Sequence, residues 1–494
     1  MLRSYRLKTL GCKANLSDTQ TIEAELRARG WVPAPDDEDV PADLCIVNSC
    51  TVTDEADRQS RKTATRLKRD NPGAQVVITG CSAEVDPEGL ARVKGVDWVV
   101  ANRDKPNLLD LVLAAAEKAA SPRSARPEED PEPARMLGVA EGYAEMLSRH
   151  PMDRDWPAVD SRFRAPGADE DAQSRRTRAF LKIQDGCNSF CTYCVIPYGR
   201  GPSRSLGIDA VVAQVAGLVD SGVREVVITG INIGDYGVDW NGGKPAVGRL
   251  FREILARTQL ERLRVSSLDP VEIDDELLHL MAEEPRFCPH FHVSLQSPHS
   301  RVLKLMKRKY DASDVERCLE RISRIPAPPG GVFVGMDVIT GFPGESEEFF
   351  EASREALARL PWSRLHVFPY SERSGTPATR LPGAVPQGER ARRAKVLRDL
   401  SLERMRAHHQ AVLASCQASA RPLEDVLVES RVRGPDGDEG WWSGYTRNYL
   451  KVLFRSPAVD EPSLSNRILR VRPESLVVDT AAGEVGFIGT PESS

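Results

Sequence analysis

Short β-branched runs alternate with helical stretches in two separate series along this chain, and that alternation limits the fold more than any other feature. The first series places "YRLKTL", "DLCIVN", "QVVITG" and "WVVAN" between "DTQTIEAELRARG", "ADRQSRKTATRLKRD", "PEGLARVKG" and "PNLLDLVLAAAEKAA". A βα repeat of this kind buries its strands in a parallel sheet covered by helices, so a Rossmann-like α/β domain is expected. The second series has strand-like runs at "AFLKI", "EVVITGI", "RLRVSSL", "HFHVSLQ", "FVGMDVI" and "RLHVFPY", with amphipathic stretches such as "EEFFEASREALARL" between them. Six units are too few for a closed eight-unit barrel, and an open, partial (β/α)6 barrel is expected.

Between the series, "SPRSARPEEDPEPAR" and "RAPGADEDAQSRR" mix Pro, Ala, Arg and acidic residues without a sustained period. This reads as a mostly disordered linker with one short helix around "LGVAEGYAEMLSRH". After the helical "GERARRAKVLRDLSLERMRAHHQAVLASC" the tail turns to short strand-like runs, the pattern of a small all-β, OB-like module. The expected segments are 1–118, a linker at 119–174, 175–415 and 416–490, in keeping with several domains for 494 residues. With 40% hydrophobic and 28% charged residues and no apolar run of membrane-spanning length, no membrane association is expected. The N-terminus lacks a secretory h-region, so the reducing cytoplasm is the expected compartment, where ten cysteines point to metal or redox chemistry. A net charge of −5 excludes a uniformly basic nucleic-acid coat but leaves room for a local patch.

"DGCNSFCTYC" holds Cys187, Cys191 and Cys194 just after the first strand of the second series, at a strand's carboxyl end where parallel barrels keep their active sites. Three thiolates on a four-iron cube leave one iron open to an outside ligand. Catalytic zinc also takes three protein ligands and is the alternative on donor count, although Phe190, Tyr193 and "VIPYGRG" do not look like a zinc knuckle. In the first series three strands run into Cys12, Cys50 and Cys81, and loops at the carboxyl ends of adjacent parallel strands converge. Cys45, Cys288, Cys318 and Cys416 are scattered and read as buried packing residues.

"GCNSFCTYC" resembles the C-x3-C-x2-C signature of the radical S-adenosylmethionine (SAM) enzymes. "TGINIGDYG", "SSLDP", "HVSLQSP" with "LKLMKRKY", "DVITGFPGE" and "HVFPYSERSGTPA" are similar in order and wording to the methylthiotransferase branch. The likeness covers roughly residues 1 to 115 and 175 to 488. It implies a [4Fe-4S] cluster on Cys187, Cys191 and Cys194 that reduces SAM to methionine and a 5′-deoxyadenosyl radical. It also implies a second [4Fe-4S] cluster on Cys12, Cys50 and Cys81, in segments resembling "TLGCKAN", "VNSCTVT" and "TGCSAE". Two SAM are then used per turnover, one donating a methyl group to sulfur that is inserted at carbon 2 of an adenine. "TLGCKAN", "QDGC" and "IPYGRGPSRS" look closest to the enzymes acting on N6-threonylcarbamoyladenosine at position 37, beside the anticodon of tRNA. Relatives act on isopentenyladenosine or on a ribosomal-protein aspartate, and a non-catalytic iron–sulfur RNA-binding protein is the reading of a different class. An electron donor such as flavodoxin or ferredoxin and a sulfur source are implied partners.

Further contacts are expected around these centres. Gly230 and Gly341, at strand ends, let a ligand approach the backbone. Ser294 and Gln296 share one side of their strand and are expected to meet SAM, although Pro298 stands where the family has glycine. Arg200, and with it Arg204, offers a guanidinium for the SAM carboxylate or a phosphate. In "GYTRNYLKV", Tyr445, Arg447, Asn448, Tyr449 and Lys451 suit stacking on RNA and phosphate contact, and the segment resembles the TRAM domain that ends these enzymes. "ERARRAK" at 389–395 reads as a solvated helix face. A threonylcarbamoyl substrate further requires a cation in the pocket.

Overall fold

The computed structural model describes residues 3–35, 40–120, 134–137, 177–455 and 464–492. The first series forms one parallel sheet of β1 (Ser4–Thr9), β2 (Val32–Pro33), β3 (Leu44–Ser49), β4 (Gln75–Gly80), β5 (Trp98–Val100) and β6 (Arg135–Leu137). Every residue of β3 is buried, because alternate side chains enter different cores. Leu44 and Ile46 pack with Ile22, Leu26 and Leu109 on one side, while Cys45 and Val47 pack with Ala64 and Leu67 on the other. The strand order β2-β1-β3-β4-β5-β6 is of the flavodoxin type, whose ligand crevice lies outside the carboxyl ends of β1 and β3. One expectation is corrected here. Residues 135–137 fall within the expected linker, yet they extend the sheet beyond β5, where three main-chain pairings outweigh the weak strand propensity of "RML". Of the helix expected around "LGVAEGYAEMLSRH", all but Leu137 lies outside the described residues.

The second series gives β7 (Arg178–Lys182), a short ribbon of β8 (Gln184–Asp185) with β9 (Arg204–Ser205), then β10 (Glu225–Thr229), β11 (Arg262–Val265), β12 (Ser267–Leu268), β13 (His290–Gln296), β14 (Phe333–Thr340) and β15 (Arg364–Pro369). Two parallel sheets, β7-β10-β11 and β12-β13-β14-β15, meet where a single residue separates β11 from β12. The result is six consecutive strand positions. Ala179, Leu181, Val226, Ile228, Phe291, Val293, Met336 and Val338 point outwards into the apolar layer beneath the helices. The alternating residues Lys182, His292, Ser294, Gln296, Asp337 and His366 line the inner face and are partly exposed.

Among the described residues β15 does not pair with β7, which leaves a seam. The first domain covers it. Helix Lys13–Ala28 packs on β7, and the loop after β15 reaches the loop after β3 through Arg373 to Thr51 and through the Asp54 N–H to Ser371.

A 33-residue helix, Gln387–Ser419, about 50 Å long, runs from β15 to the last module. There β16 (Leu423–Val432), β17 (Trp441–Tyr445), β18 (Lys451–Arg455), β19 (Ile468–Asp479) and β20 (Glu484–Pro491) close a barrel in the order β16-β17-β18-β20-β19, with β18 and β20 parallel and the other pairs antiparallel. No helix among the described residues is long and apolar enough to cross a membrane.

Candidate active site

Cys12, Cys50 and Cys81 follow the adjacent strands β1, β3 and β4, so the sheet itself brings their loops together. Gly11, at φ +93°, lies so close to Cys50 that a Cβ there would come within 2.4 Å of its Sγ. Asn15 stitches the loops, donating from Nδ2 to the carbonyls of Leu10 and Ser49, both at 2.8 Å. Burial pushes the Cys50 thiol up to about 12, with Cys81 adding to the effect. Burial also raises Cys81, against the pull of Arg200 and Lys105.

Cys187, Cys191 and Cys194 sit in the loop between β8 and β9. The Cys187 N–H bonds to Gly201 O at 3.0 Å, the Ser189 N–H reaches Cys187 Sγ at 3.4 Å, and Arg308 Nη1 reaches Cys191 Sγ at 3.0 Å. Arg308 is itself fixed by Tyr310 and Asp269. Burial pushes Cys187 up to about 11 and raises Cys194 further, helped by Cys191. Thiols raised in this way wait for a positive partner before they ionise. All three donors of each triplet are sulfur, and among the described residues no three Cys, His, Asp or Glu side chains are arranged to hold one metal ion. Iron–sulfur clusters are held by Cys thiolates, and this all-sulfur donor set fits one.

Arg200 follows the second triplet by six residues and joins it to the first domain. Its Nε donates to Cys81 Sγ at 3.2 Å, Nη1 to both carboxylate oxygens of Asp185 at 2.9 and 3.1 Å, and Nη2 to Asn15 Oδ1 and Asp18 Oδ2. Lys182 bridges Asp18 and Asp185, and Lys105 reaches Asp18 Oδ2 at 2.9 Å. Against burial, Lys105, Lys182 and Arg200 hold the Asp18 carboxyl well below its ordinary range, and Arg200 and Lys182 do the same for Asp185. Three cations against two carboxylates leave one positive charge over, and it faces the Cys81 sulfur. The expected contact of Arg200 with SAM is therefore corrected, since all five of its N–H groups are taken within the protein. Asn15, Asp18, Asp185 and Arg308 escape the sequence reading. "GCKAN" and "QDGC" do show polar residues beside the cysteines, but not that Asn15 meets Arg200 from 185 residues away or that the same Arg200 binds Asp185.

Other expectations meet similar corrections. The open side of Gly230 is filled by Gln184, whose Oε1 accepts from the N–H groups of Ile231 and Asn232. Gly341, at φ +71°, makes room for the Arg390 side chain. At both glycines a Cβ would collide with a neighbouring side chain. Ser294 and Gln296 do share the inner face, with Gln296 at φ +61°. Arg204 donates to the carbonyls of Arg200 and Pro202. The 389–395 run is knitted into the barrel, with Arg393 buried against Glu345 and Glu347. Cys45, Cys288, Cys318 and Cys416 are buried, as the packing role requires.

The largest correction concerns the tail. Tyr449 stacks on Tyr445 at 4.8 Å and lies 4.8 Å from His290 at the amino-terminal end of the partial barrel, while Arg178 donates to its hydroxyl at 3.3 Å. Arg447 bonds to the carbonyls of Glu261 and Pro285, Asn448 to those of Pro329 and Gly331, and Lys451 pairs with Glu484. Buried Arg262 and Arg264, both paired with Glu225, bind the carbonyls of 445–447 in return. The mixture of aromatic and basic residues that suits RNA equally suits a cation–π seam between domains, and here it forms the seam.

The arrangement of a partial parallel barrel with thiols at its carboxyl end defines the class. The model of the Radical SAM superfamily matches residues 181–357, and that of uncharacterized protein family UPF0004 matches residues 4–101. The threonylcarbamoyladenosine tRNA methylthiotransferase MtaB of Rickettsia prowazekii is 35% identical over 79% of this chain and 81% of its own length. That of Bacillus subtilis is 34% identical over 90% and 89%. A tRNA-2-methylthio-N(6)-dimethylallyladenosine synthase of Carboxydothermus hydrogenoformans is 30% identical over 92% and 93%. The fold is shared with a radical SAM methyltransferase, TsrM of Kitasatospora setae, at a TM-score of 0.54 and 18% identity over 88% of this chain and 80% of that one. The chain belongs to the radical SAM tRNA methylthiotransferases.

Proposed function

We propose that this enzyme inserts a methylthio group at carbon 2 of N6-threonylcarbamoyladenosine 37 in tRNA. The observation that carries the reading is the pair of thiol triplets, one at the carboxyl end of each sheet, joined through Arg200. When bound, a cluster on Cys187, Cys191 and Cys194 supplies reductive cleavage of SAM and one on Cys12, Cys50 and Cys81 carries the sulfur, with two SAM consumed per turnover. Around them Arg308 and the Ser189 N–H orient Cys191 and Cys187, Arg200 orients Cys81, and the first domain excludes water from the seam of the barrel. Ser294 and Gln296 face the space where SAM would lie. The working units are 1–118 extended by 135–137, 175–415, and a TRAM-type module at 416–490. In that module Arg421, Arg431, Arg433 and Arg467 face outwards with no acidic partner among the described residues, and they are the side chains offered to tRNA phosphates. An electron donor of the flavodoxin or ferredoxin kind and a separate sulfur source act with it in the cytoplasm.

The names of the Rickettsia and Bacillus relatives support the threonylcarbamoyl substrate, and that of the Carboxydothermus relative supports an isopentenyl-type substrate as the second reading. Nucleoside analysis of tRNA from cells lacking the protein decides between them. Threonylcarbamoyladenosine without its methylthio derivative is the expected result. Loss of the methylthio group from isopentenyladenosine instead would overturn the substrate assignment.

A further inference from the structure

One side chain of the first domain enters the barrel. Lys13 begins the helix that covers the seam, directly after Cys12. Its side chain is solvent-accessible, yet the charges it meets are those of Tyr449, Arg178, Arg264 and Asp337, and its own charge is felt by His290 and His366. These groups come from the inner face of the barrel and from the turn that closes its floor, and Asp18 of the same helix, which packs on β7, reaches Lys182 on that inner face, so the start of the helix lies at the open seam with the ammonium on its lumen side. Every other cation that borders this space has an acidic partner. Lys182 has Asp18 and Asp185, Arg178 has Glu429, Arg264 has Glu225, and Arg308 has Asp269. Among the described residues Lys13 has neither a hydrogen bond nor an ion pair.

The lumen near it is polar. His292 Nε2 lies 2.9 Å from Asp337 Oδ1 and its ring stacks on His366 at 5.1 Å. Between the two rings stands Gly335, where a Cβ would touch both imidazoles at 3.6 and 3.7 Å. In adenine carbons 2 and 6 flank N1, so with carbon 2 between the thiol triplets a substituent on N6 projects from the same edge of the ring, to one side of the sulfurs. The polar surface beside them is the inner face of this lumen.

We propose that the lumen receives the N6 substituent and that Lys13 pairs with a carboxylate on it, while His292 and His366 meet its neutral polar atoms. This rests on the threonylcarbamoyl reading and names the group that enforces it. A carboxylate gains a charge-assisted bond to an otherwise unpaired cation. An isopentenyl group would leave the ammonium without a partner, and an unpaired polar group rejects a ligand more strongly than lost apolar contact does.

The test uses the cluster-loaded enzyme without reductant and two anticodon stem-loops, one carrying N6-threonylcarbamoyladenosine and one carrying the same group with its carboxylate converted to the amide. The wild type should bind the acid at least about tenfold tighter than the amide. Lys13→Gln should narrow the gap to less than about twofold by weakening the acid alone, and Lys13→Arg should keep most of it, with iron per chain unchanged in both. A wild type that binds acid and amide alike, or a Lys13→Gln enzyme with the full gap, overturns the proposal even if the threonylcarbamoyl stem-loop is methylthiolated when SAM and reductant are added. Methylthiolation of an isopentenyl stem-loop in place of the threonylcarbamoyl one overturns the substrate reading and this proposal together.

Discussion

At the scale of single residues, Arg200 and Gly11 are the most exacting positions. Arg200 uses five N–H groups on four partners from two domains, and its side chain is wholly buried. Arg200→Gln leaves Asp18 and Asp185 short of a counter-charge, and breaking such a buried pair costs about 3–5 kcal/mol. Thermal unfolding should show that loss, and Arg200→Lys should recover little of it, because an ammonium cannot reproduce the planar fork. Gly11→Ala combines a strained φ of +93° with a methyl group 2.4 Å from Cys50 Sγ. Anaerobic reconstitution followed by iron analysis should find about four irons per chain in Gly11→Ala where the wild type holds about eight, the four on Cys187, Cys191 and Cys194 being kept.

At the scale of elements, the turn from β17 to β18 acts as a floor for the barrel. Tyr449→Ala removes a partly buried aromatic ring from between His290, Tyr445 and Arg178, a loss of about 2–3 kcal/mol, below that for a fully buried aromatic. Limited proteolysis should then release the C-terminal module sooner, while the folded variant binds tRNA as the wild type does. Glu225 anchors the other side of this joint. Burial alone would raise its carboxyl, but Arg264 and Arg262 hold it at about 2 instead of the ordinary 4.5. A carboxyl depressed on folding contributes stability that is complete above pH 4.5 and is lost as the pH falls towards 2. That contribution is about 3 kcal/mol for a shift of this size. Urea unfolding followed across the interval should show the acid loss, and Glu225→Gln should flatten it.

At the scale of the molecule, the two βα series and the all-β tail are legible in the sequence because strand and helix periods are local properties. The convergence of Cys12, Cys50 and Cys81 is legible for the same reason, since each thiol ends an apolar run and parallel neighbours share an end. The pairings across domains are not. Nothing in "YGRG" states that the partners of Arg200 lie at positions 15, 18 and 81, and nothing in "GYTRNY" distinguishes carbonyls of this chain from those of a nucleic acid. The interface that these pairings build should survive loss of the covalent link. With a protease site placed between residues 120 and 177, the two cleaved pieces should co-elute on size exclusion, whereas the same cut in Arg200→Gln should let them part.

The seam between β7 and β15 has a further consequence. A closed eight-unit barrel owns its whole interior wall, so any new specificity must be found within one folding unit. Here one wall of the reaction chamber is on loan from a neighbour, and with it come one set of thiols and the lysine beside them. Selectivity can thus change by exchanging the lender, with the SAM-binding barrel left as it is, and divergence of substrates among such enzymes needs no redesign of the part that generates the radical.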